Sequence, residues 1–240
     1  MRALPTISGL QRAVACPAST ALPQLPEGPQ GAAAKRGSLI HAVIAARLRQ
    51  WPEPDQGRYR LPLGEKTMSE LSTHLGDGEL RAELAFAYNG NRVDVLGENC
   101  GREAYRRGWL NGAADLVVIR HDALVCDVKT GQIDAPAPED NWQLAALAMC
   151  VSMVYEVRSV TGAIAKLGRD GEWTWSQHTW SLADLAKIRK RIDAARASWS
   201  DAAELEDSGW GTTPKPGRHC LFARCVCPHN EKAQQQEVAA

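Results

Sequence analysis

GAADLVVIRHDALVCDVKTG, residues 112–131, holds two strand-like runs separated by little more than His121-Asp122. Both runs are rich in Val, Leu and Ile, and together they read as an antiparallel hairpin. Asp115 sits near the start of the first run. Asp127 and Lys129 sit two apart on the second and share a face, while Leu124, Cys126 and Val128 point the other way. Two carboxylates and an ammonium amid apolar strands are costly unless they pair or bind something. Convergent carboxylates make a hard-oxygen site suited to Mg2+ or Mn2+. A lysine beside them can orient or activate a water, or stabilise charge developing on a phosphate. The alternative is an Asp–Lys salt bridge on a solvated sheet face.

Register separates these readings. A two-residue turn at His121-Asp122 would set Asp115 opposite Val128 and put the aspartates on opposite faces. A shared cation requires an odd-numbered loop such as Arg120–Asp122, with Ile119 opposite Ala123 and Asp115 opposite Asp127, or else a bulge.

Upstream, Leu84, Phe86 and Tyr88 alternate in ELAFAYNG, a strand ending at Asn89-Gly90 with Glu83 on the opposite face. Residues 91–111 carry no clear period. Leu39, Ile40, Val43, Ile44 and Leu48 give a broad apolar face to a helix over Gly37–Gln50. Trp51-Pro52-Glu53-Pro54 stops it. MSELSTHLG (68–76) is a weaker helix, and residues 1–34 read as a short helix, Ser8 to Ala15, followed by a Pro/Gly/Ala-rich loop.

Downstream, QIDAPAPED leads into a helix from Asn141 to Tyr155. Val160–Leu167 and Glu172–Trp180 form a second hairpin around Arg169-Asp170-Gly171. SLADLAKIRKRIDAARASW (181–199) is a helix opened by a Ser181/Asp184 capping box. A loop-rich tail follows, and no internal repeat is visible.

Composition narrows the class. The 240 residues carry 28 Lys+Arg against 28 Asp+Glu, so any nucleic-acid contact must rest on local charge. With 44% hydrophobic and 23% charged residues, wholesale disorder is excluded. No run reaches the roughly 18–20 apolar residues of a membrane span. Seven cysteines, three of them within 220–227, argue for reduced thiols or a metal site in the cytoplasm rather than a disulfide scaffold.

The ordered set of pieces resembles the PD-(D/E)XK nuclease superfamily, and within it the RecB-like branch of helicase–nuclease, CRISPR-associated and phage-type exonucleases. ISGLQRAVACPAS resembles that branch's serine–helix–Cys-Pro opening, KRGSLIHAVI its Gly-x-x-x-His helix and AELAFAYN its Glu-bearing strand. GAADLVV and CDVKTG resemble the metal-binding strands, and NWQLAALA the glutamine helix after them. Four residues beyond that glutamine the branch has tyrosine, and this chain has Leu147. The resemblance implies that Asp115 and Asp127 bind Mg2+ or Mn2+ together with His41 and the backbone carbonyl of Val128. Glu83 would support the metal, Lys129 would position the attacking water, and Gln143 would hold Lys129 or the DNA backbone. In-line attack would leave 5′-phosphate and 3′-hydroxyl ends.

Cys16, Cys220, Cys225 and Cys227 match the branch's one-early, three-late set of [4Fe-4S] ligands in number and type. Their spacing differs, with Ala223 where the branch has the second Cys of Cys-x2-Cys, and Cys-x-Cys at the end. A Zn2+ site using His219 or His229, or free thiols, are the alternatives. Local positive charge for phosphate lies in Arg102, Arg106 and Arg107 and in Lys187, Lys190 and Arg191. Trp173, Trp175 and Trp180 fit packing of the sheet against a helix better than base stacking.

The expected architecture is a mixed α/β sheet flanked by helices, forming a single nuclease domain over residues 1–240. Its catalytic core spans about 37–180. The segments 1–34 and 200–232 fold together around the cysteine cluster. The expected activity is a divalent-metal-dependent DNA exonuclease acting on single strands or ends, with any helicase or recombinase partner on another chain and no membrane association. Two alternatives remain: a CRISPR-adaptation-type nuclease that trims DNA before integration, and a non-catalytic DNA-end-binding module.

Overall fold

The computed structural model describes residues 5–22, 31–130, 135–207, 213–215 and 227. Its helices are α1 (Leu10–Ala15), α2 (Ala18–Ala21), α3 (Ala32–Arg49), α4 (Glu65–Leu75), α5 (Trp142–Val154) and α6 (Leu182–Asp207). Its strands are β1 (Glu79–Tyr88), β2 (Val93–Glu98), β3 (Leu110–Ile119), β4 (Asp122–Lys129), β5 (Ser159–Leu167) and β6 (Trp173–Ser181). They form one six-stranded sheet in the order β2-β1-β3-β4-β5-β6. Every neighbouring pair is antiparallel except β4 and β5, which run parallel with α5 as the crossover between them.

Each face of the sheet has its own core. On one, Phe86, Val125 and Val160 pack with Leu144, Leu147 and Val151 of α5 and with Leu185, Ile192 and Trp199 of α6. On the other, Ile40, Val43 and Ile44 of α3 and Leu71 and Leu75 of α4 cover Leu116, Leu124, Cys126 and Val128. Helix α5 lies between the sheet and α6 and buries Leu144 through Val151 without interruption, which accounts for its apolar composition all round. No helix among the described residues is long and apolar enough to cross a membrane.

One irregularity positions the site. Leu80 and Ala82 lie with the α3 core, whereas Leu84, Phe86 and Tyr88 lie with the α5 core, although all are at even positions of β1. A regular strand would keep them on one face. The alternation breaks at Glu83, whose φ of +49° is in the left-handed region that non-glycine residues seldom occupy. Strand β3 switches alongside it, with Ala114 in the α5 core and Leu116 and Val118 in the α3 core. Glu83 and Asp115 therefore mark the level at which groups from both layers can meet.

Several boundaries differ from expectation. Helix α3 begins at Ala32 rather than Gly37, so the N-terminal loop is shorter than 1–34, and α6 runs on to Asp207. Strand β2 occupies part of the stretch without a clear period. It is a half-exposed edge strand defined by its ladder to β1, so no apolar alternation announces it. The capping box of α6 is present: Ser181 Oγ contacts Asp184 Oδ2 at 2.7 Å and accepts from Asp184 N at 3.2 Å. Among the described residues, three contacts link the N-terminal segment to α6 and to residues beyond it. Trp199 Nε1 donates to Ala13 O at 3.1 Å, Lys215 N to Cys16 Sγ at 3.3 Å, and Cys227 packs against Leu22.

Candidate active site

Strands β3 and β4 pair Leu116 with Cys126, Val117 with Val125 and Val118 with Leu124. Carried one step each way, this register sets Asp115 opposite Asp127 and Ile119 opposite Ala123. It is the odd-loop register that a shared cation requires, and the two-residue alternative with Asp115 opposite Val128 is absent. Val128 contributes its N–H, which donates to Asp115 Oδ2 at 2.6 Å.

Four elements, α3, β1, β4 and α5, converge on Asp115 of β3 and its neighbourhood. From α3, His41 Nδ1 lies 3.2 Å from Asp115 Oδ1. From β1, Glu83 joins them, so that one ligand atom from each of His41, Glu83 and Asp115 lies within 4.8 Å of the others. From β4, Lys129 Nζ contacts Asp127 at 2.9 Å from Oδ1 and 2.7 Å from Oδ2. From the opposite layer, Gln143 Nε2 reaches Asp127 Oδ1 at 3.5 Å. Gln143 is held there by Asn141, which caps α5 by accepting from the N–H groups of Gln143 and Leu144.

Burial and the Asp115 charge set the electrostatics of the cluster. Burial opposes charge on His41, but the Asp115 carboxylate beside it, helped by Glu83 and Asp127, outweighs burial and lifts the imidazole to about 9. Burial pushes Glu83 up to about 7, and the Asp115 charge adds to the push. Burial and the Asp115 charge likewise raise Asp127 to about 6 against the pull of Lys129. Asp115 goes the other way. Burial works against its charge, yet His41, the Val128 N–H and Lys129 hold it below its ordinary value. Asp127 is only 3% exposed, and the Lys129 ammonium is the cation that faces its buried Oδ2. One imidazole and closely spaced carboxylates fit a hard divalent cation.

Other expected residues lie elsewhere. Arg106 pairs with Asp94 at 2.9 Å and lies over the Trp109 ring, and Lys187 pairs with Asp184. Arg191 sits 4.6 Å over the Trp142 ring. Lys190 is exposed on α6, and Arg102 and Arg107 are exposed before β3. Trp180 is buried in the α5 core, while Trp173 and Trp175 pack on the α3 core, with Trp175 stacked on His74 at 4.5 Å. Cys16 and Cys227 are buried and form no disulfide; Cys220, Cys225, His219 and His229 lie outside the described residues.

Sequence reasoning did not single out Asn141, Asn99 or Glu98 for the site. Asn99 N donates to Glu83 O at 3.0 Å. Glu98 accepts from Ala82 N at 2.8 Å and is ion-paired to Arg49 and Arg81. These contacts hold the irregular backbone at Glu83. Only Asn141 carried a signal, as an asparagine at the start of a helix.

Fold and site together define a class of α/β proteins whose central strands carry an acidic cluster with the donor set for a cation beside a lysine. The chain belongs to the PD-(D/E)XK nuclease superfamily, whose family model matches residues 6–229. A solved structure titled "Crystal structure of SSO0001" aligns at 15% identity over 69% of this chain and 68% of that one, with a TM-score of 0.36. No curated protein matches the sequence.

Proposed function

We propose that the protein is a divalent-metal-dependent DNA nuclease of the RecB-like branch, an exonuclease acting on single strands or DNA ends in recombination, repair or phage DNA processing. The observation that carries this reading is the convergence of His41, Glu83 and Asp115 within 4.8 Å beside the Asp127–Lys129 pair, on a PD-(D/E)XK fold.

His41, Glu83, Asp115 and Asp127, with the Val128 carbonyl, would hold Mg2+ or Mn2+. When bound, the ion supplies Lewis acidity, a more acidic water and a template for the phosphate. Lys129 is oriented by Asp127, so its ammonium is held where it can position the attacking water and offset charge growing on the phosphate. Gln143 steadies Asp127 from the other layer and limits the freedom of that pair. Arg102, Arg107, Lys190 and Arg191 supply local positive charge for the DNA backbone.

The whole chain is read as one nuclease domain working in the cytoplasm, with any unwinding partner on another chain. Cys16 and Cys227, together with Cys220 and Cys225, would ligate a [4Fe-4S] cluster. A brown protein absorbing in the visible blue supports the cluster, and stoichiometric zinc in a colourless protein refutes it.

The decisive assay is Mn2+- or Mg2+-dependent cleavage of end-labelled linear and circular single-stranded DNA by the wild type and by Lys129→Ala. Degradation of linear but not circular DNA, reduced about a hundred- to a thousandfold in kcat by the substitution, is expected. Equal activity of the two proteins removes Lys129 from the mechanism, and cleavage of circles removes the exonuclease mode.

A further inference from the structure

A cavity of about 890 Å3 opens directly beside the cluster. Its lining includes His41 and Glu83 of the cluster together with Trp51, Pro52 and Pro54. Small residues of α3, Gly37, Ser38, Ala42, Ala45 and Ala46, form one wall, and Glu98 and Asn99 belong to its lining. The volume falls in the range of about 300–1,000 Å3 that encloses small ligands.

The walls are built for this shape. Helix α3 ends at Gln50 in the left-handed conformation (φ +54°), which turns the chain so that Trp51 N donates back to Ala46 O at 2.8 Å. Pro52 and Pro54 then limit where that segment can go. The Arg49 guanidinium lies 5.8 Å from the Trp51 ring centroid and is itself fixed by Glu98 and the Leu80 carbonyl. On the β1–β2 side, Glu83 and Asn99 both have φ of +49° and are joined by a hydrogen bond. The β1–β2 register slips close by, between Ala85 and Phe86. Non-glycine residues held at positive φ are costly and collect at functional sites. At Gly37 a Cβ would stand 2.9 Å from Thr130 Oγ1, so glycine permits the close approach of α3 to the end of β4.

From this geometry we infer that the cavity receives an unpaired nucleobase adjoining the cleaved phosphate, with Trp51 as its stacking surface. The inference rests on the nuclease reading of the cluster and assigns that site a single-stranded substrate. Three observations select this occupant. The cavity is continuous with His41 and Glu83, so what fills it must be attached to what reacts there. Its lining combines an aromatic ring, prolines and alanines, which suits the flat apolar face of a base. Glu98, the carboxylate away from the cluster, is neutralised by Arg49 and Arg81, so it does not repel an anionic strand. Recognition by stacking tolerates any base, so little sequence preference is expected. Trp51 is thus a positioning residue for the strand.

The test uses the full chain with Mn2+ and a labelled single-stranded oligonucleotide. A matched set carries one abasic residue at successive positions around the cleaved bond. Trp51→Ala should raise KM about five- to a hundredfold with a smaller change in kcat, and Trp51→Phe should stay near wild type. For wild type, one abasic position should reproduce that loss, and Trp51→Ala should be indifferent to it. Abasic substrates on the unaltered protein keep the test valid if Trp51→Ala fails to fold. A folded Trp51→Ala with unchanged KM, or a wild type indifferent to every abasic position, overturns the base cavity and leaves the nuclease reading standing. A wild type that neither cleaves the strand nor binds it in Ca2+ overturns both.

Discussion

Divalent-cation binding should be tightly linked to proton release. The three raised groups lie near 9 (His41), 7 (Glu83) and 6 (Asp127), and a ligand must shed its proton before it can coordinate. At pH 6 only about one His41 in a thousand and one Glu83 in ten is deprotonated; at pH 8 the fractions are about one in ten and nine in ten. Affinity for Mn2+ should therefore climb about a thousandfold between pH 6 and 8, equivalent to about 4 kcal/mol. At pH 7 binding should release about one and a half protons, most of them from His41. Isothermal titration calorimetry in buffers of different ionisation enthalpy measures both quantities without DNA. His41→Gln should cut the release at pH 7 to about half a proton. An affinity that stays flat from pH 6 to 8, with no proton released, would refute the assignment of these side chains as ligands.

Three further outcomes follow from the packing and charge. In the cation-free protein, His41 rises from 6.5 to about 9, Glu83 from 4.5 to about 7 and Asp127 from 3.8 to about 6, so each binds its proton more tightly folded than unfolded. Their contributions are complete at acid pH and are lost successively as pH rises towards 9, so urea midpoints should fall from pH 5 to 9 and fall less with saturating Mn2+; a rise over that range contradicts the sign. Trp199→Ala empties a site that is 1% exposed and removes the hydrogen bond to Ala13 O, and should cost about 3–5 kcal/mol in urea denaturation; a loss below about 1 kcal/mol would mean the N-terminal segment is not anchored there. Gly162→Ala would put a Cβ 2.5 Å from the Trp180 ring and should destabilise by about 1–3 kcal/mol, whereas an unchanged midpoint would show that Trp180 can move aside.

The strands, the helices and much of the cluster were legible as local patterns. Period-two alternation exposed β1, apolar runs rich in Val, Leu and Ile exposed β3 and β4, and the position of Asp127 and Lys129 two apart within an apolar strand predicted their shared face. Their ion pair, at 2.9 and 2.7 Å, follows from that spacing. Strand β2 escaped because an edge strand draws its order from its neighbour's ladder and needs no pattern of its own. Glu83 was expected on the face opposite Leu84, but no residue pattern foretold that its backbone would turn left-handed and exchange the two cores.

Residue types and their spacing along the chain singled out Asp115, Asp127 and Lys129, because neighbours within one strand obey a fixed period, whereas His41 and Glu83 were named through the family resemblance. How far apart those groups lie across β1, β3, β4 and α3 was beyond the sequence. That distance depends on the register of the β3–β4 turn, on the Glu83 irregularity, and on Glu98 and Asn99 bracing it from the next strand. The cavity that Trp51 helps to line belongs to the same category. Its walls come from segments far apart in the chain, and only long-range packing brings them around one space.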